Sequence, residues 1–176
     1  MKMITENDLK VLFSEEEIQN GIKNLGAKLN EVYGQEELYL ICVLKGSVMF
    51  MVDLSKHLKM PLRMEFIRLS SYGSGFTSTG RVNAVDISLH DLNGKNVLIV
   101  EDIIDTGHTA KFLVDFINHN FKVKSLNFCS LLDKKVKREV EIDADYYCFE
   151  IDDKFLVGYG LDYDGYYRNL PYIGYV

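Results

Sequence analysis

The chain has 176 residues, of which 47% are apolar, and a formal net charge of −6. This size and apolar content fit one compact domain, residues 1–176, and exclude a disordered or disulfide-stapled chain. The negative charge disfavours a general nucleic-acid binder, because lysine and arginine supply the sequence-independent affinity for phosphates.

The cysteines and the apolar runs indicate the cellular compartment. Cys42, Cys129 and Cys148 are widely spaced and flanked by apolar residues, which predicts buried reduced thiols rather than disulfides, zinc ligands or nucleophiles. The N-terminal stretch has no apolar run of signal-peptide length, and no run approaches the roughly 18 residues that span a membrane. We therefore expect a cytoplasmic protein without a membrane partner.

The first predicted elements are a helix, a strand and a second helix. Ser14 and Glu17 form a capping-box pattern before apolar residues at helical spacing, which run from Ile18 to Val32 and stop at Gly34. A fully apolar strand and a further helix follow, at Leu38–Leu44 and from Ser47 to Pro61.

The next segment predicts two paired strands with a loop between them. Residues 63–72 and 81–89 alternate apolar and polar side chains over part of their length. Residues 73–80, which join them, are polar and include three glycines. Such a loop is typical of a hairpin tip or of a mobile lid.

The second half of the chain continues the alternation of strands and helices. Val97–Val100 predicts a buried central strand and Thr109–Asn120 the helix after it, and three more strands are predicted at 123–132, 145–151 and 155–161. Apolar strands alternating with helices predict an α/β fold with a mostly parallel twisted sheet flanked by helices. In such sheets ligands bind beyond the carboxyl ends of the strands.

The polar residues after the central strand predict a binding site. The loop from Asp105 to Thr109 offers backbone N–H groups, hydroxyls and a helix N-terminus, which together suit a phosphate monoester; an ordinary N-cap is the alternative. Glu101 and Asp102 would repel that ligand unless they bind neutral hydroxyls or a divalent cation. A ribose phosphate with Mg²⁺ accounts for all these groups, whereas a solvated strand end would account for the carboxylates alone.

Other phosphate and metal motifs are missing from the sequence. It contains no G-x-x-x-x-G-K-[ST] motif, and the stretch GYGLDY at residues 158–163 lacks the third glycine of a dinucleotide fingerprint. No histidine and cysteine cluster has metal-binding spacing.

The stretch VLIVEDIIDTG resembles the phosphoribosyl-pyrophosphate signature of type I phosphoribosyltransferases, and nearly the whole chain is similar to the bacterial hypoxanthine-guanine phosphoribosyltransferases. Four further stretches agree in order and spacing, namely LKGS at 44–47, SSYGSGFTSTGRV at 70–82, SLLDK at 130–134 and DKFLVGYGLDYDGYYRNLPYIG at 153–174. The resemblance implies the type I fold, with a small hood formed by the chain ends and a flexible lid loop. It also implies purine salvage, in which phosphoribosyl pyrophosphate and a 6-oxopurine give a nucleoside monophosphate and pyrophosphate.

The resemblance implies roles for the acidic stretch and the loop after it. Glu101 and Asp102 would hold the ribose hydroxyls and, with Asp162, the Mg²⁺ shell, while Asp105 would act on the purine N7 as general base or hydrogen-bond partner. The residues expected to wrap the 5′-phosphate are Thr106, Gly107, His108 and Thr109. The family usually has lysine at the position of His108, so a side-chain charge there becomes pH-dependent in this chain.

Further roles follow from the other matching stretches. The purine would be bound by Lys134 at its O6 atom, by Phe155 through stacking and by the Leu156 backbone. Pyrophosphate would be held by Lys45, Gly46 and Arg168, in family members often with a cis peptide before the lysine. The lid would begin at Ser70, Ser71 and Tyr72. The segment after Lys134 departs from the proline-containing pattern that is usual in the family, so the assignment of Lys134 depends on the matching stretch SLLDK before it.

Two other classes of protein remain open from the residues alone. An RNA-binding regulator of the pyrimidine-operon type, with uracil phosphoribosyltransferase activity, would need a basic surface, and only Lys134–Arg138 is locally basic. A phosphate-sensing α/β module would leave Lys134, Phe155 and Arg168 without a function. We therefore expect small-molecule substrates, no nucleic acid, and a homodimer or homotetramer. One lysine and one aromatic ring serve hypoxanthine, guanine and xanthine alike.

Overall fold

The computed structural model describes residues 8–71 and 82–175, and of residues 70–71 and 82–86 it describes the backbone. Within these ranges lie nine strands and three α-helices. In chain order they are β1 Lys10–Phe13, α1 Glu15–Tyr33, β2 Leu38–Leu44, α2 Val48–His57, β3 Leu62–Ser71, β4 Val82–Ile87, β5 Asn96–Ile104, α3 His108–Asn120, β6 Ser125–Asp133, β7 Tyr146–Glu150, β8 Leu156–Val157 and β9 Ile173–Tyr175.

The larger sheet has the strand order β4-β3-β2-β5-β6-β7. Five of these strands run parallel, and β4 pairs antiparallel with β3. This arrangement confirms the predicted fold class and the predicted pairing of the two strands on either side of the glycine-containing loop. The strands β2 and β5 are buried over nearly their whole length, as expected for strands covered on both faces.

Two hydrophobic cores cover the two faces of this sheet. Alternate strand residues such as Leu40 and Leu98 pack with α1 and α2, while Ile41 and Ile99 pack with α3. Cys42 and Cys129 are buried, as predicted, whereas Cys148 is half-buried; within the described residues none of the three forms a disulfide. No helix in the described ranges is both long and apolar enough to cross a membrane.

The chain ends form a second, three-stranded antiparallel sheet in the order β1-β9-β8, which is the expected hood. The sequence did not predict β1 or β9. The strand predicted at 155–161 is only Leu156–Val157, because Gly158 and Gly160 adopt φ angles of +99° and +98° and turn the chain. Tyr72 and the loop 73–80, predicted as a lid, lie outside the described residues.

Two predicted elements differ from the structure in detail. In α1, Val32 is 51% exposed although the apolar pattern placed it on the core face. The central strand does not end at Val100 but continues to Ile104, because Glu101, Ile103 and Ile104 stay in register with β6.

The N-terminus of α1 provides a test of the local structure. The Ser14 hydroxyl accepts from the Glu17 N–H, and the Glu17 carboxylate accepts from the Ser14 N–H at 2.8 Å. We expect Ser14→Ala to lower the unfolding free energy by about 1 kcal/mol and Tm by about 3 °C. Thermal unfolding followed by circular dichroism measures this shift. Ser55→Ala in α2, where the hydroxyl only bonds back to the Val52 carbonyl, is the matched control; an equal loss there would contradict the capping argument.

Candidate active site

Parallel strands bring the predicted site residues to one edge of the sheet. Lys45 and Gly46 follow the end of β2, Glu101 and Asp102 lie near the end of β5, and Lys134 follows the end of β6. These three strands are adjacent and run in the same direction. The residues that the sequence places far apart therefore lie at the same carboxyl edge.

Glu101 and Asp102 have different surroundings because adjacent side chains on a strand point to opposite faces. Glu101 lines a cavity of about 90 Å³ with Asp105, Thr106, Gly107 and other residues at the start of α3. Asp102 lies on the other side, close to the loop that precedes α2. The two carboxylates therefore line two candidate sub-sites, one on each side of β5.

Both carboxyl groups are poorly compensated in the protein. Glu101 is buried, its Oε2 atom has no hydrogen-bond partner in the described ranges, and burial together with the charge of Asp102 raises its pKa well above the usual range. Burial also raises the pKa of Asp102 to about 6, although the N–H groups of Asp102 and Ile103 and the charge of Arg168 oppose this effect. A hydrogen-bond donor or a cation supplied by a ligand would therefore stabilise the ionised forms of both carboxyl groups.

The loop before α3 has the geometry of an anion site. Gly107 begins the helix in the left-handed region at φ +89°, and α3 has no side-chain cap within the described part of the chain. The N–H groups of its first turn are therefore left for another acceptor. His108 does not point freely into solvent, since its Nε2 atom lies 2.8 Å from Glu139 Oε2.

The loop at Lys45 and Gly46 is held between two other parts of the site. A Cβ atom on Gly46 would lie 1.7 Å from Asp102 Oδ2, and a Cβ atom on Gly160 would lie 2.0 Å from the Gly46 carbonyl oxygen. Only glycine permits both approaches. The peptide bond between Leu44 and Lys45 is cis, as the resemblance implied.

Arg168 and Asp162 close this side of the site. The Arg168 guanidinium donates to the Gly160 carbonyl at 2.6 Å and pairs with Asp162 Oδ1 at 2.5 Å. Asp162 also accepts from the Gly165 N–H. Since the charges of Arg168 and Asp162 both influence the pKa of Asp102, these three groups share one neighbourhood.

The predicted purine side is built around Lys134. Its side chain is almost fully buried, and the Nζ atom donates to the Lys154 carbonyl at 3.1 Å, pairs with Asp153 at 2.9 Å and lies 3.9 Å from Asp105 Oδ2. Phe155 is 52% exposed and meets Tyr163 edge to face, so one face of its ring is accessible. Leu156 is buried in β8 of the hood.

The carboxylates at this edge of the sheet fit the needs of Mg²⁺. In the described ranges no three histidine, cysteine, aspartate or glutamate side chains converge to form a complete metal cluster. Mg²⁺ needs no such cluster, because proteins commonly hold it with one or two carboxylates while substrate phosphates and water complete the shell. Asp102 and Asp162, whose charges influence each other, fit that requirement, and the neighbouring Glu101 has one oxygen without a partner in the described ranges.

The basic run Lys134–Arg138 is not a free basic surface. Each of its four cations has an acidic partner in the structure; the pairs are Lys134 with Asp153, Lys135 with Glu150, Lys137 with Asp153, and Arg138 with Asp133. The run therefore offers little uncompensated charge for RNA.

Three contributors to the site were missed by the sequence analysis. Gly160 and Asp153 lie in the matching stretch 153–174, which predicts no role for either, and Arg138 is predicted only as part of a basic run. The position of Gly160, two residues before the predicted metal ligand Asp162, was the sequence feature that could have placed it near the site. Nothing in the sequence pairs Asp153 with Lys134 or Arg138 with Asp133, because these contacts depend on the tertiary fold.

Comparisons with known proteins agree with the fold. A model of the phosphoribosyl transferase domain matches residues 12–164. The hypoxanthine-guanine phosphoribosyltransferase of Streptococcus pneumoniae is 48% identical over 170 residues, which cover 96% of this chain and 94% of that protein. The chain therefore belongs to the phosphoribosyltransferase family, within the group of hypoxanthine-guanine phosphoribosyltransferases.

Solved structures give the same result. A hypoxanthine phosphoribosyltransferase from Staphylococcus aureus is 45% identical and superimposes with a TM-score of 0.92, covering 100% of this chain and 96% of that one. A hypoxanthine-guanine phosphoribosyltransferase from Bacillus anthracis is 44% identical with a TM-score of 0.89, covering 95% and 98%.

The raised pKa of Asp102 predicts a stability effect. Because its pKa in the folded protein, about 6, exceeds the ordinary value of 3.8, the ionised form destabilises the ligand-free protein as pH rises through this window. We expect Asp102→Asn to stabilise the protein above pH 6 by on the order of 2 kcal/mol, or about 5 °C in Tm, with the gain vanishing near pH 4.

The measurement is thermal unfolding with EDTA between pH 4 and pH 8. Asparagine keeps an oxygen that can accept from the Ile103 N–H, so the comparison isolates the charge. Asp115→Asn, at an exposed carboxylate paired with Lys111, is the control and should give no gain. Equal Tm values for wild type and Asp102→Asn throughout this range would disprove the burial effect.

Proposed function

We propose that this protein transfers the phosphoribosyl group from 5-phosphoribosyl 1-pyrophosphate to hypoxanthine or guanine in purine salvage. The observation that supports this most directly is the pairing of the Asp105 carboxylate with the Lys134 ammonium, 3.9 Å apart, next to the uncapped start of α3. The names of the relatives in the Streptococcus, Staphylococcus and Bacillus species point to the same substrates.

The purine edge explains why one acid and one cation lie side by side. N7 and O6 are neighbouring atoms of a 6-oxopurine, so a carboxyl group and an ammonium can contact both at once. Lys134 donates to an oxo group and has no acceptor for the amino group of adenine. Asp105 accepts or returns the N7 proton, and its Oδ1 atom has no hydrogen-bond partner in the described ranges. Phe155 stacks on the ring, and the Leu156 backbone contacts its edge.

The donor would occupy the two sub-sites on either side of β5. The 5′-phosphate accepts hydrogen bonds from the N–H and hydroxyl groups of the loop at the positive end of α3, namely those of Thr106, Gly107, His108 and Thr109. The ribose hydroxyls donate to Glu101 and Asp102. Pyrophosphate lies against Lys45, Gly46 and the planar fork of Arg168.

A divalent cation, Mg²⁺ in our proposal, would be held by Asp102 and Asp162 with Glu101 nearby. When bound, it supplies positive charge that offsets the charge of the departing pyrophosphate. The side chains then carry the remaining steps. Arg168 and Lys45 hold pyrophosphate as the ribose C1 gains positive character. Asp105 orients the base so that its attacking nitrogen points at C1, and the buried walls of the site limit competition from water.

The remaining expectations are part of the same proposal. We propose that residues 1–176 form one domain, that the protein works in the cytoplasm, and that it assembles as a homodimer or homotetramer. The three free thiols support a reducing compartment. Residues 70–72 would begin the lid over the reacting atoms.

The first activity test offers phosphoribosyl pyrophosphate and Mg²⁺ with hypoxanthine, guanine, xanthine, adenine or uracil, and measures nucleotide formation by chromatography. We expect turnover with 6-oxopurines alone. Asp105→Asn should lower kcat by about 10²- to 10³-fold, because it keeps the shape of the side chain and removes the proton acceptor. Asp115→Asn is the matched control and should leave kcat unchanged. Turnover confined to uracil, or none with any base, would refute the proposed substrate class.

Removal of the metal provides a separate test. Excess EDTA should abolish turnover, and added Mg²⁺ should restore it, because the carboxylates otherwise repel an anionic donor. Persistent full turnover in EDTA would show that Glu101, Asp102 and Asp162 act without a metal.

A further inference from the structure

Arg138 lies directly beneath the loop that would bind the 5′-phosphate. It follows the short 3₁₀ helix Lys135–Lys137, and only 12% of its side chain is exposed. Its Nε atom donates to the backbone carbonyl of Asp105 at 3.2 Å, and one terminal nitrogen donates to the Ile142 carbonyl. The guanidinium is thus used inside the protein rather than offered to solvent.

The same guanidinium also holds the end of β6. Its second terminal nitrogen donates to Asp133 Oδ1 at 2.5 Å, and Asp133 is completely buried. Asp133 immediately precedes Lys134, whose own N–H donates to the Ile104 carbonyl. A buried carboxylate is costly unless a cation with good hydrogen-bond geometry accompanies it, so this pair fixes both partners.

Packing reinforces these hydrogen bonds. A Cβ atom on Gly107 would lie 2.8 Å from Arg138 Cδ and 2.9 Å from Val140 Cγ2. The Glu139 N–H donates to the Thr106 carbonyl at 2.9 Å. Three consecutive loop residues, Asp105 to Gly107, therefore rest on the segment that begins with Arg138.

We propose that Arg138 is a positioning residue, which sets Asp105 and the phosphate-binding loop against Lys134 through its contacts to the Asp105 carbonyl and to Asp133. This inference rests on the proposed transferase function and extends it to a residue that touches no substrate. One planar fork spans the loop and the strand end, and it preserves the 3.9 Å separation of Asp105 and Lys134. Lysine, a single ammonium, can pair with Asp133 but has no fork to reach the Asp105 carbonyl as well.

The test compares Arg138→Lys, Arg138→Met and wild type in steady-state turnover of hypoxanthine and phosphoribosyl pyrophosphate with Mg²⁺, well below each Tm. We expect Arg138→Lys to lower kcat about 10-fold and Arg138→Met about 100-fold, since a displacement of about 1 Å has effects of this size. The KM for phosphoribosyl pyrophosphate should rise, because the phosphate-binding loop is displaced as well. Lys111→Met, at an exposed lysine on α3 paired with Asp115, controls for charge loss near the loop and should match wild type.

A purely structural role of Arg138 would give a different result in this experiment. Arg138→Met would then unfold at a lower temperature, yet the folded enzyme would keep wild-type kcat and KM, and this outcome would overturn the proposal. If Arg138→Met does not fold, Arg138→Lys decides by the same criterion. An inactive wild type would refute the transferase function and the positioning role together, whereas an active wild type with unaffected variants would refute the positioning role alone.

Discussion

The site depends on the in-register pairing of three parallel strands. Leu38, Asn96 and Ser125, which begin β2, β5 and β6, lie side by side, so the three strands deliver their ends to one edge of the sheet. A shift of β5 by one residue would exchange the faces of Glu101 and Asp102 and separate each carboxylate from its sub-site. The apolar side chains below them, packed between helices on both faces, make such a shift costly.

The polar edge is built on this rigid support and is electrostatically incomplete. Glu101 and Asp102 carry raised pKa values because burial is not matched by enough donors, while Lys134 and Arg168 are paired with acids that a ligand could share. Acidic and basic groups therefore lie along the same edge of the sheet. A ligand that carries hydroxyls, phosphates and a metal satisfies both groups, which links the binding of donor and purine to one set of side chains.

Local patterns predicted most of the fold. The capping box at Ser14, the apolar strand Leu38–Leu44 and the helix after Gly107 each follow from neighbouring residues, and the resemblance assigned side chains that the structure brings together, such as Asp105 with Lys134. The sequence did not predict β1 or β9, which pair with each other across almost the whole chain length. It also did not predict the contacts of Arg138, because a basic residue in a basic run gives no sign of a buried partner.

The hood joins the two ends of the chain, since Lys10 pairs with Tyr175 and Leu156 pairs with the same residue from the other side. Closing so long a loop costs conformational entropy. The pairing of these short strands offsets that cost only after the main sheet has brought the two segments together. The hood should thus form late in folding and open before the main sheet does. Leu156 belongs to the hood and Phe155 directly precedes it, whereas Asp105 follows β5 of the main sheet. A local opening of the hood would therefore uncover the proposed purine side while the proposed phosphate side stays intact. In the proposed reaction, the base would then exchange while the 5′-phosphate stays bound.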